Sequence, residues 1–306
     1  MPHVSILIPV MNEAENILPL YYEIKKFVPE DFEIIFVNDG STDDTIFEIK
    51  QLSAKDSRVR CISFSRNFGH QNALMAGIDY ADGQYIITMD GDLQHPPSCI
   101  PALLKPLNNG FDLVQTKRLK TEDSGLLKKI FSKLFYRFIN FISDIPIEEN
   151  VSDFRAFNRK VLITIRKFEE RDLFLRGLFS WIGFKKTIVS FEAPSRMHGS
   201  SKYTFGAMMK LALKGTTAFS FKPLRISLLI GIIVSLFSFI FFIITIISYF
   251  QGKTVPGWAS LMTAITFMGG IQLLVIGLMG EYIASLFRES KRRPLYVVDE
   301  TVNLHE

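Results

Sequence analysis

Two long runs of residues without a charged side chain limit what this chain can fold into. The first run covers residues 226–250 and the second covers residues 258–280. As a helix the first run would be roughly 37 Å long at ~1.5 Å per residue, enough to cross a bilayer with some tilt. We therefore predict a transmembrane hairpin over 221–290, with helices at about 226–250 and 258–282, and a cytoplasmic tail at 291–306.

The cations beside these runs predict an orientation. Only Lys253 lies in the short connection between the runs, whereas the outer flanks carry Lys222, Arg225, Arg288, Lys291, Arg292 and Arg293. Positively charged flanks tend to stay in the cytoplasm. We expect a multi-pass protein of the cell (inner) membrane, with its globular part and both termini in the cytoplasm. The formal net charge is only +4, so no nucleic-acid partner is expected.

Before residue 220, apolar strands alternate with amphipathic helices, which is typical of an α/β fold with a parallel sheet. The predicted strands cover 4–10, 32–37, 59–64, 84–89 and 111–116, and the predicted helices cover 13–28, 69–81, 98–107 and a segment that Ser41 or Thr42 caps and that runs past Lys50. Ligands of open α/β sheets bind beyond the carboxyl ends of the strands. The polar stretches at 12–15, 38–44, 65–72 and 90–94 are therefore expected to converge.

The polar residues after the fourth predicted strand form the strongest candidate for a metal site. In extended chain, alternate side chains project to one side, so Asp90, Asp92 and Gln94 would face one way and Gly91 would leave room for a ligand. Oxygen donors of this kind suit Mg²⁺ or Mn²⁺, which takes further ligands from water and phosphate. The alternative is an acidic turn that merely follows a strand.

Two further segments combine an apolar face with a basic face. They lie near 124–144 and near 203–221. Such segments are typical of helices that lie in a membrane interface. A core-packing helix with a solvated basic side explains the segment at 124–144 equally well.

Four motifs in order, at residues 4–13, 37–43, 65–69 and 89–94, resemble family 2 glycosyltransferases with the GT-A fold. Residues 151–155, residues 176–183 and the C-terminal hairpin resemble more narrowly the polyprenyl-phosphate glycosyltransferases, a group that includes dolichol-phosphate mannose synthase and bactoprenol glucosyltransferase. The hairpin makes the bactoprenol type the closer match. The resemblance covers nearly the whole chain and implies a GT-A domain, Rossmann-like and nucleotide-sugar-binding, over 1–220.

The resemblance also implies a reaction. We expect inverting transfer of one hexose, with UDP-glucose as donor, to undecaprenyl (polyprenyl) phosphate at the cytoplasmic membrane face, for cell-envelope polysaccharide. Donors such as UDP-GlcNAc, GDP-mannose or an aminoarabinose nucleotide stay open, as does a non-catalytic membrane protein that binds a nucleotide sugar. Neither Trp181 nor Trp258 follows an arginine, so the Gln-x-x-Arg-Trp motif of processive members is absent and a single transfer is preferred. Homo-oligomerisation is an expectation from the resemblance alone.

Residue roles follow from the resemblance. The nucleotide sugar is expected at Pro9, Asn12, Glu13, Asp39, Ser41, Arg196 and Lys202; the metal at Asp90, Asp92 and Gln94; the lipid phosphate at Lys117, Lys128 and Lys129; and catalysis at Asp90, Asp92, Arg118, Asp153 and Arg155. Asp153 either approaches the acceptor or pairs with Arg155. A phosphate monoester has a second pKa of about 6, so no protein base is required. His70, His95 and His198 receive no ligand role.

Overall fold

The computed structural model describes residues 2–119, 151–171, 173–192, 220–252 and 257–304. Its chain divides into two compact units. The first unit holds the described residues up to 192 together with residues 292–304, and the second holds 220–252 and 257–291.

The first unit is built on an eight-stranded mixed sheet in the order β7-β5-β6-β4-β1-β2-β3-β8. The strands are β1 Val4–Val10, β2 Phe32–Asn38, β3 Val59–Phe64, β4 Tyr85–Thr88, β5 Leu113–Arg118, β6 Val151–Asn158, β7 Lys186–Phe191 and β8 Val298–Val302. The α-helices are α1 Ala14–Phe27, α2 Thr45–Lys55, α3 His70–Tyr80, α4 Ile100–Asn108 (after a 3₁₀ turn at Pro97–Cys99), α5 Arg159–Ile165 and α6 Leu175–Trp181.

Four parallel strands form the centre of the sheet in the order β3-β2-β1-β4. Every residue of β1 and β2 is buried, as expected for parallel strands covered by helices on both faces. Ile6, Ile8 and Phe36 belong to the core cluster on one face, whereas Leu7 on the other face lies against Gly77 of α3. The chain order reverses between β1 and β4, which creates a switch point where ligands of such sheets bind.

The sequence predicted this half of the sheet closely. The predicted bounds of β1 and β3 are those observed, and the other predicted elements up to residue 119 are found with ends shifted by one or two residues. The predicted cap of α2 is wrong, because the helix begins at Thr45 after Asp44. The carboxylate of Asp43, not a hydroxyl of Ser41 or Thr42, accepts the Thr45 backbone N–H at 3.1 Å.

Strand β6 was not predicted, although it is an interior strand of the sheet, between β5 and β4. It pairs antiparallel with both β4 and β5. Thr88, Arg155 and Gln115 are paired across these three strands, so their side chains share one face. Since β6 carries Asp153 and Arg155, its insertion beside β4 brings these residues to the sheet edge that follows Thr88.

The second unit contains two long helices, α7 Lys222–Phe250 and α8 Trp258–Ser290. Both are long and apolar enough to cross a membrane, and both extend the helices predicted from the sequence. Large apolar side chains along them, such as Phe241 and Leu274, are exposed. Within this unit the Tyr282 hydroxyl donates to the Ser220 carbonyl oxygen at 2.8 Å. The predicted interfacial helices near 124–144 and 203–221 lie outside the described residues, apart from positions 220 and 221.

Candidate active site

The loops that follow β1 and β2 are joined by hydrogen bonds. The backbone N–H of Asn12 donates to Ser41 Oγ at 3.0 Å, and the N–H of Thr42 donates to Asn12 Oδ1 at 2.8 Å. Asn12 has a positive φ of 57°, a conformation that asparagine tolerates better than most residues. The predicted convergence of the polar stretches is confirmed for these two loops.

Asp39, at the end of β2, is held by the loop that precedes α3. Its Oδ1 accepts the Phe68 N–H at 2.6 Å and its Oδ2 accepts the Gly69 N–H at 2.9 Å. Burial raises the pKa of Asp39, and these two hydrogen bonds partly offset the rise. Gly40 allows the close packing, because a Cβ there would lie 2.4 Å from the Arg66 carbonyl carbon. The carboxylate is therefore fixed in direction.

Carboxylates gather beyond the ends of β1 and β4, at the switch point. Burial raises the pKa of Glu13, and the negative charges of Asp92, Asp43 and Asp90 raise it further, although a hydrogen bond from Asn16 opposes them. Asp90 Oδ1 is buried without a hydrogen-bond donor. Among the described residues, no lysine or arginine forms an ion pair with Asp90, Asp92 or Glu13; ring nitrogens of two histidines each lie 3.6 Å from an Asp90 carboxylate oxygen.

The residues from Asp90 to Gln94 do not form the extended stretch that the sequence suggested, and that expectation is wrong. Leu93 has a positive φ of 60°, so the chain turns, and the Gln94 N–H folds back onto Asp92 Oδ1 at 3.1 Å. The Gln94 amide is nearly buried and its Oε1 accepts from Arg118 Nη2 at 2.9 Å. A Cβ at Gly91 would lie 2.8 Å from Val10 Cγ1, so the packing against β1 favours glycine here; that Gly91 leaves room for a ligand stays a prediction.

The donor set fits a hard divalent cation. Asp90 and Asp92 supply carboxylate oxygens, one of which is buried and lacks a donor, and Mg²⁺ or Mn²⁺ is often held by one or two carboxylates plus water and substrate phosphates. No group of three His, Cys, Asp or Glu residues forms a complete metal cage in the described part of the chain. The site is thus suited to a cation whose remaining coordination positions are filled by water and by the phosphates of a bound substrate. The role of Gln94 as a ligand stays a prediction.

Two histidines that the sequence analysis left without a role lie inside the site. His70 Nε2 lies 3.6 Å from Asp90 Oδ1 and 3.8 Å from Asp153 Oδ2. His95 Nδ1 accepts the Asp90 backbone N–H at 2.8 Å, so the proton of the neutral ring is on Nε2, which donates to Ser152 Oγ at 2.6 Å. Burial lowers the pKa of His95, which favours this neutral form.

Asp153 pairs with two arginines. Arg155 Nη2 lies 2.6 Å from its Oδ1, and Arg176 makes a two-pronged contact through Nη2 to Oδ2 at 2.8 Å and Nε to Oδ1 at 3.1 Å. Burial raises the pKa of Asp153, but the charges of Arg176 and Arg155 outweigh this effect and the pKa is well below its usual range. Of the two readings left open for Asp153, the structure contains the pairing with Arg155.

The other predicted site residues differ in accessibility. Arg155 is 2% exposed and stacks on the Phe179 ring, which argues against direct contact with a phosphate. Arg118 is half-buried and Lys117 is exposed at the end of β5. Pro9 is buried within β1, and its carbonyl oxygen faces Gly91. Four predicted cations, Arg196, Lys202, Lys128 and Lys129, lie outside the described residues.

Three residues near the acidic cluster were not predicted as site residues: His70, His95 and Arg176. His70 and Arg176 are close to other site residues only through the fold, since the strand insertion of β6 brings Asp153 to them. The position of His95 directly after Gln94 was a signal that it lies near the site. Its hydrogen bond with the Asp90 backbone N–H cannot be read from a sequence. These residues surround the acidic cluster with polar groups that are themselves hydrogen-bonded or paired.

The acidic cluster lies beyond the carboxyl ends of β1 and β4, at the switch point where open α/β sheets bind their ligands. The chain belongs to glycosyl transferase family 2. Residues 5–166 match the family described as "Glycosyl transferase family 2", and residues 222–286 match the "GtrB C-terminal hairpin". The GT-A-type α/β fold, the C-terminal hairpin and the resemblance predicted from the sequence are thereby confirmed.

Curated relatives align along nearly the whole chain. The putative glycosyltransferase CsbB of Bacillus subtilis (strain 168) is 39% identical over 97% of this chain and 91% of its own length. The bactoprenol glucosyl transferase of Shigella phage SfV is 41% identical over 96% of this chain and 97% of its own length. A crystal structure of Mycobacterium tuberculosis glucosyl-3-phosphoglycerate synthase with Mn²⁺, UDP-glucose and phosphoglyceric acid covers 70% of this chain and 78% of that chain at 17% identity and a TM-score of 0.47. That similarity is too low to bear on the ligands of this chain.

Proposed function

We propose that this glycosyltransferase moves one hexose from a nucleotide sugar, specifically glucose from UDP-glucose, to a polyprenyl phosphate such as undecaprenyl phosphate. The observation that carries the proposal is the joint presence, in one chain, of a membrane-type hairpin and of an acidic cluster at the sheet's switch point that has no lysine or arginine partner among the described residues. A relative named bactoprenol glucosyl transferase, similar over nearly its full length, supports the lipid acceptor.

The donor is assigned to the edge formed by β1, β2 and β4. Asp39 and Glu13 would accept hydrogen bonds from the ribose and the base, with Pro9, Asn12 and Ser41 shaping the loops around them. Asp90 and Asp92, with Gln94 as a further ligand, would hold Mg²⁺ or Mn²⁺, which when bound supplies neutralisation of the charge on the departing nucleotide diphosphate. Arg196 and Lys202 are retained as donor-phosphate residues.

The acceptor needs no protein base. A lipid phosphate is largely dianionic near neutral pH because its second pKa is about 6. An attack by its oxygen on the anomeric carbon, opposite to the departing diphosphate, would invert the sugar. The work of the protein is then to position two anions and to balance their charge. Arg118, Lys117, Lys128 and Lys129 are proposed for this task, whereas buried Arg155 and Asp153 would hold Arg176 in place.

The proposed location is the cytoplasmic face of the cell membrane, with two crossings. Strand β8 follows the hairpin and pairs with β3 of the first unit, so the chain leaves the sheet before α7 and returns to it after α8. This return supports an even number of crossings. The clustering of cations outside the hairpin, against the single Lys253 between its helices, supports a cytoplasmic catalytic domain. The proposed domain limits are 1–220, 221–290 and 291–306, with interfacial helices near 124–144 and 203–221.

The test is sugar transfer by the purified full-length protein in detergent. Labelled UDP-glucose, UDP-GlcNAc and GDP-mannose are each offered with undecaprenyl phosphate, in Mg²⁺ or Mn²⁺ and in EDTA. We expect one organic-extractable product, from UDP-glucose, that EDTA abolishes. Product from another donor would overturn the assignment of the sugar only. If UDP binds but no donor gives a lipid-linked product, the polyprenyl phosphate acceptor is wrong.

A further inference from the structure

The segment that follows the hairpin is hydrogen-bonded along most of β3. Strand β8 pairs antiparallel with β3 from Cys61 opposite Val302 to Phe64 opposite Val298. Beyond this pairing the Ser65 N–H donates to the Val297 carbonyl oxygen at 3.1 Å. At the other end Asn303 Nδ2 donates to the Ser53 and Val59 carbonyl oxygens at 3.0 and 2.9 Å. The C-terminal segment is therefore a built part of the first unit.

Tyr296, just before β8, contacts the chain on both sides of one loop. Its ring stacks on Phe64, the last residue of β3, with centroids 5.0 Å apart and planes at 14°. Its hydroxyl donates to Asp79 Oδ2 of α3 at 2.8 Å. Residues 65–69 form the loop between β3 and α3, so Tyr296 fastens the strand before this loop to the helix after it.

The same loop holds the carboxylate of Asp39. The Phe64 ring contacts the Phe68 ring edge to face at 5.7 Å, and the backbone N–H groups of Phe68 and Gly69 donate to Asp39. The helix that follows begins with His70, whose imidazole lies 3.6 Å from Asp90. A continuous set of contacts thus runs from Tyr296 to the edge assigned to the nucleotide.

We propose that Tyr296 is a positioning residue for the nucleotide donor: it fixes loop 65–69 so that two backbone amides orient Asp39. The proposal rests on the function proposed above. It makes the segment after the membrane hairpin a part of the donor site, although this segment is over 200 residues from Asp39 in sequence. In this role Tyr296 would act through the loop and not by direct contact with donor or acceptor.

A purely structural role for the segment that contains Tyr296 and β8 predicts a different result. Strand β8 covers the edge of β3, and covering an edge protects a sheet from unwanted pairing. Loss of that cover would lower thermal stability and would leave the donor affinity of the folded protein unchanged. A positioning role instead weakens donor binding and spares the acceptor. The ratio of the two KM values therefore separates the two roles.

The experiment compares full-length Tyr296→Ala and Tyr296→Phe with the wild type in detergent. UDP affinity in Mn²⁺, KM for the donor, KM for undecaprenyl phosphate and thermal unfolding are measured for each. Tyr296→Ala removes both the ring contact with Phe64 and the hydrogen bond to the Asp79 carboxyl, so we expect it to weaken UDP binding and raise donor KM about tenfold, with acceptor KM unchanged. Tyr296→Phe keeps the ring contact, and we expect its UDP affinity to fall and its donor KM to rise by only about threefold.

The matched control is Glu300→Gln on β8, the strand that follows Tyr296. It removes the exposed ion pair to Lys50 of α2, with N–O distance 2.7 Å, and is expected to leave both KM values unchanged. If Tyr296→Ala lowers the unfolding temperature but binds UDP like the wild type, the positioning role is wrong and β8 only covers the edge. If the wild type itself fails to bind UDP or to transfer sugar, the proposed function fails instead, so the two failures are distinguishable.

Discussion

The carboxylates at the two ends of the central sheet differ in whether they have a cationic partner. At the amino end, the buried carboxylate of Glu33 accepts hydrogen bonds from the Ser5 hydroxyl and the Asp82 N–H, and its Oε2 lies 2.6 Å from Arg60 Nη1. At the carboxyl end, Asp90, Asp92 and Glu13 gather without such a cation among the residues described. The loss of one partner from a buried ion pair destabilises a fold, whereas a carboxylate cluster without a lysine or arginine partner among the described residues is suited to bind a cation from solution.

The largest effect is expected at the carboxyl end. Asp92→Asn removes a charge from the proposed cation site, and we expect the transfer rate to fall about 10³-fold, with the unfolding temperature unchanged or higher because like charges no longer repel. Initial rates with saturating Mn²⁺ and thermal unfolding are the measurements. Asp82→Asn, an exposed carboxylate at the amino end, is the control and should change neither. A folded Asp92→Asn protein with more than a tenth of the wild-type rate would contradict the cation site.

The amino end should give the reverse result. Glu33→Gln leaves Arg60 without its buried partner, and breaking such a pair costs about 3 kcal/mol of stability. We expect a clear drop in unfolding temperature but a normal rate per folded molecule. A double-mutant cycle with Arg60→Gln measures the coupling. If Glu33→Gln has normal stability but a reduced transfer rate, the proposed difference between a structural amino end and a functional carboxyl end is wrong.

Metal addition to the wild type and to these two variants is a further test of the contrast. A ligand that binds only the folded state stabilises it by about 2.7 kcal/mol at 100 times its Kd. Mn²⁺ at saturation is therefore expected to raise the unfolding temperature of the wild type and of Glu33→Gln by the same amount. It should leave Asp92→Asn unchanged. Equal shifts in all three proteins would mean that the ion binds elsewhere.

The strands of the sheet differ in how well they could be predicted from the sequence. Strands β1 to β4 follow from short apolar runs and turn residues, and the convergence of Asp39, Asp90 and Glu13 follows from the rule for carboxyl ends of parallel strands. Strands β6 and β8 could not be predicted in this way, because their partners are chosen by long-range pairing rather than by local pattern. The residues that depend on these strands, Arg176 and Tyr296, were missed with them.

Local geometry set a second limit. The two-residue period placed Asp90, Asp92 and Gln94 on one side, but Leu93 adopts a left-handed conformation that no pattern of apolar residues encodes. The Gln94 amide turns toward Arg118 as a result. Glu33 received no role at all from the sequence, since its partners Ser5, Arg60 and Asp82 lie on different elements. Paired charges of this kind become visible only when the fold is known.

The smallest effect expected is a difference in pH dependence between two carboxylates. Burial and neighbouring negative charges raise the pKa of Glu13 at the carboxyl end, whereas hydrogen bonds from Arg58 lower the pKa of Asp56, just before β3. A raised carboxyl pKa means that ionised Glu13 opposes folding above that pKa, and the opposition disappears as the pH falls through it. A lowered pKa means that ionised Asp56 favours folding above about pH 4, and this stability is lost as the pH falls through the lowered value.

In EDTA at pH 7, Glu13→Gln is therefore expected to be more stable than the wild type by about 0.5 kcal/mol, and Asp56→Asn less stable. As the pH falls toward 4, the advantage of Glu13→Gln should vanish, while the deficit of Asp56→Asn should persist into more acid solution. Thermal unfolding of the three proteins across this range measures both trends. The two variants are expected to change the free energy of unfolding in opposite directions. If their stability instead changes with pH in the same way, the two ends of the sheet are electrostatically alike. The argument that the acidic cluster binds a cation would then fail.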